Sequence, residues 1–589
     1  MTNNYTFQLA KNQANNILQL TLKEIKIEEA LNYSVDSSKG SEYGLLSSPI
    51  CFSLSKIMKK DPQTLSKELE KIANEKLQEI GLEKRLFERV EGLAGFLNFF
   101  ACSKFYSSSI SQAVEGKVNY GKSDSLNGIN FVVEFSSPNL GKPLHVGHIR
   151  GTILGDSICN LLSTQKANVT KMNYPADAGT QIAQLIVAMR KFKDLPQATD
   201  EMGLYEYYKK INEEIEKNPQ LKEEVKEVGL LIENASPRIM MDLENINKVS
   251  FSALAKNYQM LSINFDVVAT ESQFINPAKK IVEECLQKGF AKKELDGSVV
   301  ALLEEHGLSN TLLLKSNGTT LYITRDLALA DYKFSTLHFK RSLVLTAMEQ
   351  NLHFKQVQKL LELLNRPYYE GYNHLGFGLV FLKNSKMSTR QGNVVFLKEV
   401  LDQTIEQSRL EIEKRKPEYD KQLIQEISGI LGVGALKFAF LKVSSERNMN
   451  FDPVASAQFE GDTGPYIQYS AVRATNIINK INEQANFKNL ELSGISEEFI
   501  WSEQEKELAS LISLYPSVVQ SAATSQAPHI ICDYLLRLSA SFSKFYEAKK
   551  VIGLTDPIQT HSRTMIVMAS YNVLVNGLNI LGIKIPEKM

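Results

Sequence analysis

One short segment constrains the fold of this chain more than any other. An apolar run, Phe131-Val-Val-Glu-Phe135, passes through a loop, Ser136-Ser-Pro-Asn-Leu-Gly-Lys-Pro-Leu144, into His145-Val-Gly-His148. A helical apolar pattern then continues through Ile149, Ile153, Ile158 and Leu162. Strand, turn and helix start make a geometry that binds phosphates. The helix N-terminus presents unpaired N–H groups and about half a positive charge. Two imidazoles and the Lys142 ammonium beside such a terminus point to a site for ATP. Gly147 lets a flat base lie against bare backbone, and Pro143 stiffens the approach.

Around this segment the pattern is α/β. Between 129 and about 400, apolar runs at 131–135, 299–303, 343–345 and 378–381 alternate with helical patterns at 181–192 and 353–364. That alternation predicts a parallel sheet. The charged stretch 205–228 reads as a solvated helical insertion. Residues 1 to about 115 mix a helix pattern at 65–80 with short apolar pieces at 93–100, and Tyr120-Gly-Lys-Ser-Asp-Ser-Leu-Asn-Gly128 reads as a linker. Beyond 401 strand character is lost. Leu535, Leu538, Phe542 and Phe545 share one helical face, as do Val567, Tyr571, Leu574, Leu578 and Leu581, so a helical bundle follows. The expected division is 1–115, an α+β domain; 116–405, the α/β domain with its insertion; and 406–589, an all-α domain.

Composition narrows the class. The chain has 589 residues, 43% apolar and 23% charged, which is globular. Its 67 basic residues balance 67 acidic ones, so net charge neither demands nor excludes a nucleic-acid partner. Cys51, Cys102, Cys159, Cys285 and Cys532 form no C-x-x-C pair, which argues against structural zinc or a disulfide framework and fits a reducing compartment. The N-terminus carries no signal-like apolar region, and no apolar stretch approaches the roughly 20 residues of a membrane span. The chain reads as a cytoplasmic protein with no membrane partner.

A second segment, Lys386-Met-Ser-Thr-Arg-Gln-Gly392, is polar and basic between apolar strands. A loop carrying Lys386 and Arg390 can close over a triphosphate and neutralise charge on the leaving group. Alone it would be a solvated basic turn, just as an isolated H-x-x-H would be a pair of surface histidines. His-x-x-His is also poor zinc spacing, and no metal site is read.

Together the two segments resemble the HIGH and KMSKS signatures of class I aminoacyl-tRNA synthetases, and specifically those of the arginyl-tRNA synthetase family. Ser137-Pro-Asn139, Lys142 and His145 to His148 match the family's first signature. Lys386 to Arg390 followed by Gly392-Asn-Val394 matches its second. Asp177-Ala-Gly-Thr-Gln181, Tyr322-Ile-Thr-Arg-Asp326 and Gly461-Asp-Thr-Gly-Pro-Tyr-Ile-Gln-Tyr469 match three further segments in order, and the chain closes on Pro586-Glu-Lys-Met589.

The resemblance implies a Rossmann-like catalytic core, a helical anticodon-binding domain, and an N-terminal domain that touches the tRNA elbow. It implies an arginine--tRNA ligase using ATP with accompanying Mg2+, with L-arginine and tRNA(Arg) as partners, no DNA, and a monomer. Catalytic roles fall on Lys142, His145, His148, Lys386 and Arg390. ATP contacts fall on Pro138, Gly147, His148, Met387 and Ser388. Arginine contacts fall on Glu134, Asn139, His145, Tyr322, Asp326 and Gln350, and tRNA contacts on Asn98, Tyr466, Tyr469, Arg473, Tyr546 and Met589. One departure stands out: the second lysine of KMSKS is Thr389 here. In the family a lysine before H-x-G-H is held to compensate, and Lys142 stands there. The alternatives are another H-x-G-H nucleotidyltransferase, which would not need the helical tail, and a synthetase-derived RNA-binding protein, which would not need both signatures intact.

Overall fold

A computed structural model of the chain describes residues 5–27, 33–38, 40–382, 395–483 and 494–589. Lys386, Met387, Ser388 and Arg390 lie outside the described residues.

At the N-terminus, strands β1 (Asp36–Ser37), β2 (Leu46–Ser48), β3 (Phe87–Leu93) and β4 (Phe96–Ala101) form an antiparallel sheet in the order β1-β2-β4-β3. Ala94 and Gly95, both at positive φ, turn β3 into β4, as a two-residue hairpin requires. The helix expected at 65–80 runs Pro62–Gln78. Asp61 caps it by accepting from the Thr64 N–H at 2.9 Å, and Pro62 opens its first turn.

The central layer holds β5 (Asn130–Glu134), β6 (Asn168–Asn173) and β7 (Val267–Val268). A three-stranded antiparallel unit follows: β8 (Ala291–Lys293), β9 (Val299–Ala301) and β10 (Thr311–Leu314). Then come β11 (Arg341–Ala347) and β12 (Tyr372–Phe377). The main sheet is wholly parallel, in the order β12-β11-β5-β6-β7. Phe131, Val132 and Val133 of β5 are buried on both faces of the sheet, which is why that run shows no polar alternation. Two expected members lie elsewhere. The run at 299 belongs to the antiparallel unit, and the run at 378–381 becomes β13 (Val380–Leu382), paired with β14 (Met449–Phe451) outside the sheet. Short apolar runs have no periodicity that tells one sheet from another.

The helix Leu397–Arg415 crosses the expected boundary at 405, and Ser103–Gly116 crosses the one at 115, so both divisions fall inside continuous helices. The second of these docks on the C-terminal bundle, where the Asn572 side chain donates to the Ala113 carbonyl at 3.0 Å. The expected linker is tied down as well. Tyr120 is buried, donates to the Ile512 carbonyl at 3.0 Å and stacks on Tyr515. In the bundle, Leu535, Leu538, Phe542 and Phe545 are fully buried, as are Val567, Leu574, Leu578 and Leu581, while Tyr571 is half-buried.

Among the described residues one helix, Lys421–Leu441, is long and apolar enough to cross a membrane by length and composition alone. Here it is a core helix. Its Leu431, Leu436 and Phe438 are buried, and the buried Lys437 donates to the Gly582 carbonyl at 2.7 Å.

Candidate active site

The loop after β5 is held from several sides. Ser136 and Ser137 both adopt positive φ (73° and 42°), a conformation that costs free energy and persists only where the surroundings fix it. The fixing partners are visible. The Asn173 side chain accepts from the Ser137 N–H at 3.1 Å, and Gln181 donates to the Leu140 carbonyl at 2.6 Å. At Gly141 (φ +82°) the backbone itself disfavours a side chain, and an added Cβ would lie 2.1 Å from a terminal methyl of Leu185. The insertion also grips the loop. Ser250 accepts from the Gly141 N–H at 3.1 Å, and the Tyr258 hydroxyl lies 2.8 Å from that of Ser136. The stretch 205–228 is therefore not a free solvated arm: it folds as helices Glu201–Lys217 and Gln220–Glu233, whose Leu204, Tyr207, Ile211, Leu221 and Val225 are buried.

The loop delivers His145 as the N-cap of the helix Val146–Thr164, with His148 one turn on. Their rings stack, with centroids 3.9 Å apart. The His145 Nδ1 accepts from the Gly147 N–H at 3.2 Å, which leaves Nε2 carrying the proton as a donor. Burial, with Lys142 nearby, lowers the pKa of His145 and takes His148 down to about 3. Both imidazoles are thus neutral donors at physiological pH. Gly151, one turn further, lies against Phe377, where an added Cβ would come within 2.8 Å of the ring.

The histidines open onto a cavity of about 660 Å³ that also receives Glu134, Asn139, Tyr322, Asp326 and Gln350. The structure thus brings together all six residues expected to contact arginine. Tyr322 begins the helix Tyr322–Leu337 and Asp326 follows one turn later on the same face. The Asp326 Oδ2 lies 2.6 Å from the His353 Nε2. Gln350 occupies an N-cap position but makes no capping bond with its side chain, so its carboxamide stays available to the cavity. Glu134 is buried and paired with the fully buried Lys333 at 2.5 Å. Burial pushes its carboxyl up and Lys333 pulls it back.

Sequence reading missed Glu271. It lines the same cavity and pairs with Arg325 at 3.1 Å, while Arg325 also reaches Glu233 at 3.0 Å. Burial pushes the Glu271 carboxyl up to about 8, with Arg325 opposing. It stands in a short helical turn with no motif around it, so only the fold reveals it. Asp177 helps set this turn by accepting from the Ser272 N–H at 2.8 Å and from its hydroxyl at 2.6 Å.

Other expected residues fall outside the cavity. Lys142 does not line it; its ammonium sits over the Tyr208 ring, 3.8 Å from the centroid. Pro138 is buried within the loop. Asn98 is only 3% exposed on β4, where its carboxamide accepts from the Ser47 hydroxyl at 2.8 Å. Its side chain is thus paired with the neighbouring strand β2, opposite Ser47.

Far from the cavity, Tyr469 and Arg473 lie one turn apart on the helix Gly464–Glu483. The Arg473 guanidinium stands 4.7 Å from the Tyr469 ring and 5.0 Å from the exposed ring of Tyr546. Met589 is buried in a small apolar cluster with Ile585 and Tyr469, so it supports that surface from beneath. Tyr466 is half-buried against the bundle core.

Comparison with known proteins agrees with this fold. The family model "tRNA synthetases class I (R), catalytic domain" matches residues 109–452, "DALR anticodon binding domain" matches 467–589, and "Arginyl tRNA synthetase N terminal domain" matches 12–101. An arginine--tRNA ligase of Clostridium kluyveri is 34% identical over 92% of this chain and 93% of its own length. One from Clostridium beijerinckii is 33% identical over 97% and 99%. The fold also matches the arginyl-tRNA synthetase of Thermus thermophilus, with a TM-score of 0.77 at 22% identity over 98% of this chain and all of that one. For that of Plasmodium falciparum the TM-score is 0.78 at 22% identity, over 98% and 99%. With one catalytic model covering more than half of its residues and relatives above 30% identity along nearly its whole length, the chain belongs to the arginyl-tRNA synthetase family.

Proposed function

We propose that the protein activates L-arginine with ATP to arginyl-adenylate and pyrophosphate, then transfers the arginyl group to the 3'-terminal ribose of tRNA(Arg). The observation that carries this reading is a single one. Two carboxylates and a phenol, on Asp326, Glu271 and Tyr322, share one cavity with the stacked imidazoles of His145 and His148. The acceptors suit a planar guanidinium, which offers five N–H donors in a fixed fork. The neutral imidazole donors at a helix N-terminus suit a phosphoryl group.

In the first step an oxygen of arginine's carboxylate attacks the α-phosphorus, and the bond to the β-phosphate oxygen breaks, leaving pyrophosphate with the electron pair. The Nε2–H groups of His145 and His148 and the helix terminus stabilise charge on the pentacoordinate phosphorus. Asn139 and Gln350 orient the amino acid's backbone groups, and Glu134 steadies the strand end through Lys333. Lys386 and Arg390 act on the departing pyrophosphate, Met387 and Ser388 border the nucleotide, and Pro138 and Gly147 shape its bed. Lys142 supplies the ammonium that Thr389 lacks. Mg2+ arrives with ATP. Among the described residues no three Cys, His, Asp or Glu side chains gather to hold a metal of their own. In the second step the ribose hydroxyl attacks the activated carbonyl and AMP leaves.

A site built around acceptors rejects a substrate without matching donors by roughly 10⁴–10⁵. No common amino acid copies the guanidinium fork, so the insertion has no editing activity in this reading. Arg473, Tyr469 and Tyr546 form a cationic aromatic surface suited to stacking unpaired anticodon bases. Five unpaired cysteines agree with a reducing cytoplasm, where the protein works as a monomer.

The test is pyrophosphate exchange with each amino acid, run with and without tRNA. Exchange with arginine alone supports the reading; exchange with another amino acid but never with arginine overturns it.

A further inference from the structure

The insertion does more than cover the core. Its helix Glu201–Lys217 carries Tyr205 and Tyr208, three residues apart, with their rings stacked at 6.4 Å and an interplanar angle of 18°. Each ring meets a different side of the active-site approach. Tyr208 lies under the ammonium of Lys142 at 3.8 Å. Tyr205 meets Phe396 edge-on at 5.2 Å. Phe396 in turn stands where two backbone strands cross-link. The Val146 N–H donates to the Val395 carbonyl at 3.1 Å, and the Leu397 N–H donates to the Leu144 carbonyl at 2.8 Å. The tyrosine pair therefore touches Lys142, three residues before His145, and the chain bridged to His145.

A lysine stem has four rotatable bonds, and a free ammonium in water samples many positions. An aromatic face holds it by electrostatic attraction, and the N–H donors turned away from the ring remain free for phosphate oxygens. A carboxylate partner would hold it more tightly but would compete with phosphate. Tyr208 is half-buried, and its helix is braced where Gln184 donates to Asn212 at 3.1 Å, so the ring is a fixed platform.

We infer that Tyr208 is a positioning residue for adenylate formation: its ring face holds the Lys142 ammonium beside the H-x-G-H helix start, with no carboxylate among the described residues paired to it. The inference rests on the phosphate role given to Lys142 above. The pKa of both histidines is lowered partly by Lys142, which agrees with an ammonium kept close to them.

The test is a double-mutant cycle in the full-length protein, read as arginine-dependent pyrophosphate exchange with tRNA present. Tyr208→Leu is expected to lower kcat by about fivefold, the size of one partly desolvated cation–π contact, with the KM for arginine unchanged. Tyr208→Phe keeps the ring face and is expected to keep the rate. In a Lys142→Met background, Tyr208→Leu is expected to cost nothing further. An equal loss in both backgrounds, or no loss in the wild type, overturns the inference. If Lys142→Met alone leaves exchange unchanged, the phosphate role of Lys142 fails and takes the inference with it. Activation of arginine by the enzyme is untouched by that outcome. Should Tyr208→Leu unfold early by its thermal midpoint, Tyr208→Met replaces it in the same cycle.

Discussion

The rings of His145 and His148 lie face to face, 3.9 Å between centroids, at the first turn of one helix. Two positive imidazoles would repel at that distance, and burial already disfavours their charged forms. The pair therefore works as neutral donors, and its contribution is aim rather than charge. His148→Ala is expected to slow pyrophosphate exchange by about 10²–10³, the usual loss for one preorganised donor to a transition state, with arginine affinity nearly unchanged. Single-turnover adenylate formation measures it.

The depressed pKa of His148 makes stability depend on pH. Unfolded, the imidazole titrates near its ordinary value; folded, near about 3. Between those values the unfolded chain binds the extra proton, so stability is full above about 6.5 and falls as the pH drops toward 3. His148→Asn removes this term. Denaturation midpoints of the variant are expected to fall less steeply than those of the wild type between pH 6.5 and 4.5.

Glu271 titrates with the opposite sign. Burial raises its carboxyl while the Arg325 guanidinium at 3.1 Å opposes the shift, so it gives up its proton at a higher pH than an ordinary carboxyl. A guanidinium binds the carboxylate form. Arginine affinity should therefore rise as the pH goes from 6 to 8, with proton release that calorimetry in two buffers detects. Glu271→Gln is expected to weaken arginine binding by about 1.5–3 kcal/mol, the value of a hydrogen bond to a charged group, and to flatten the pH dependence.

On the helix Gly464–Glu483, Arg473 sits between the rings of Tyr469 and Tyr546. Arg473→Ala should weaken tRNA binding by about 1–3 kcal/mol, the range for loss of a base-stacking platform, while leaving the KM for ATP unchanged. Asn98→Ala, by contrast, should lower stability through the loss of the Ser47 hydrogen bond and leave tRNA affinity near the wild type. Filter binding with tRNA separates the two variants.

Much of this was legible in the chain because the informative residues are local. The β5 run, the loop and the two histidines are contiguous, and helix spacing puts Tyr322 and Asp326 on one face. The bundle declared itself through long apolar stripes at Leu535 to Phe545. Residues recruited from afar were not legible. Glu271 reaches the cavity only because the β6–β7 crossover brings its turn there, and Arg325 beside Asp326 is what holds it. Charge misled at 205–228, where lysines and glutamates hid Tyr205 and Tyr208 facing inward. Asn98 shows the reverse: a polar residue between the core residues Leu97 and Phe99 is paired with the strand beside it.

The most direct measurement is a crystal structure with a non-hydrolysable arginyl-adenylate analogue. The guanidinium is expected within hydrogen-bond reach of Asp326 and Glu271, with the phosphate-mimicking group against the Nε2 atoms of His145 and His148. An analogue bound with its side chain away from both carboxylates, or seated outside this cavity, would contradict the assignment.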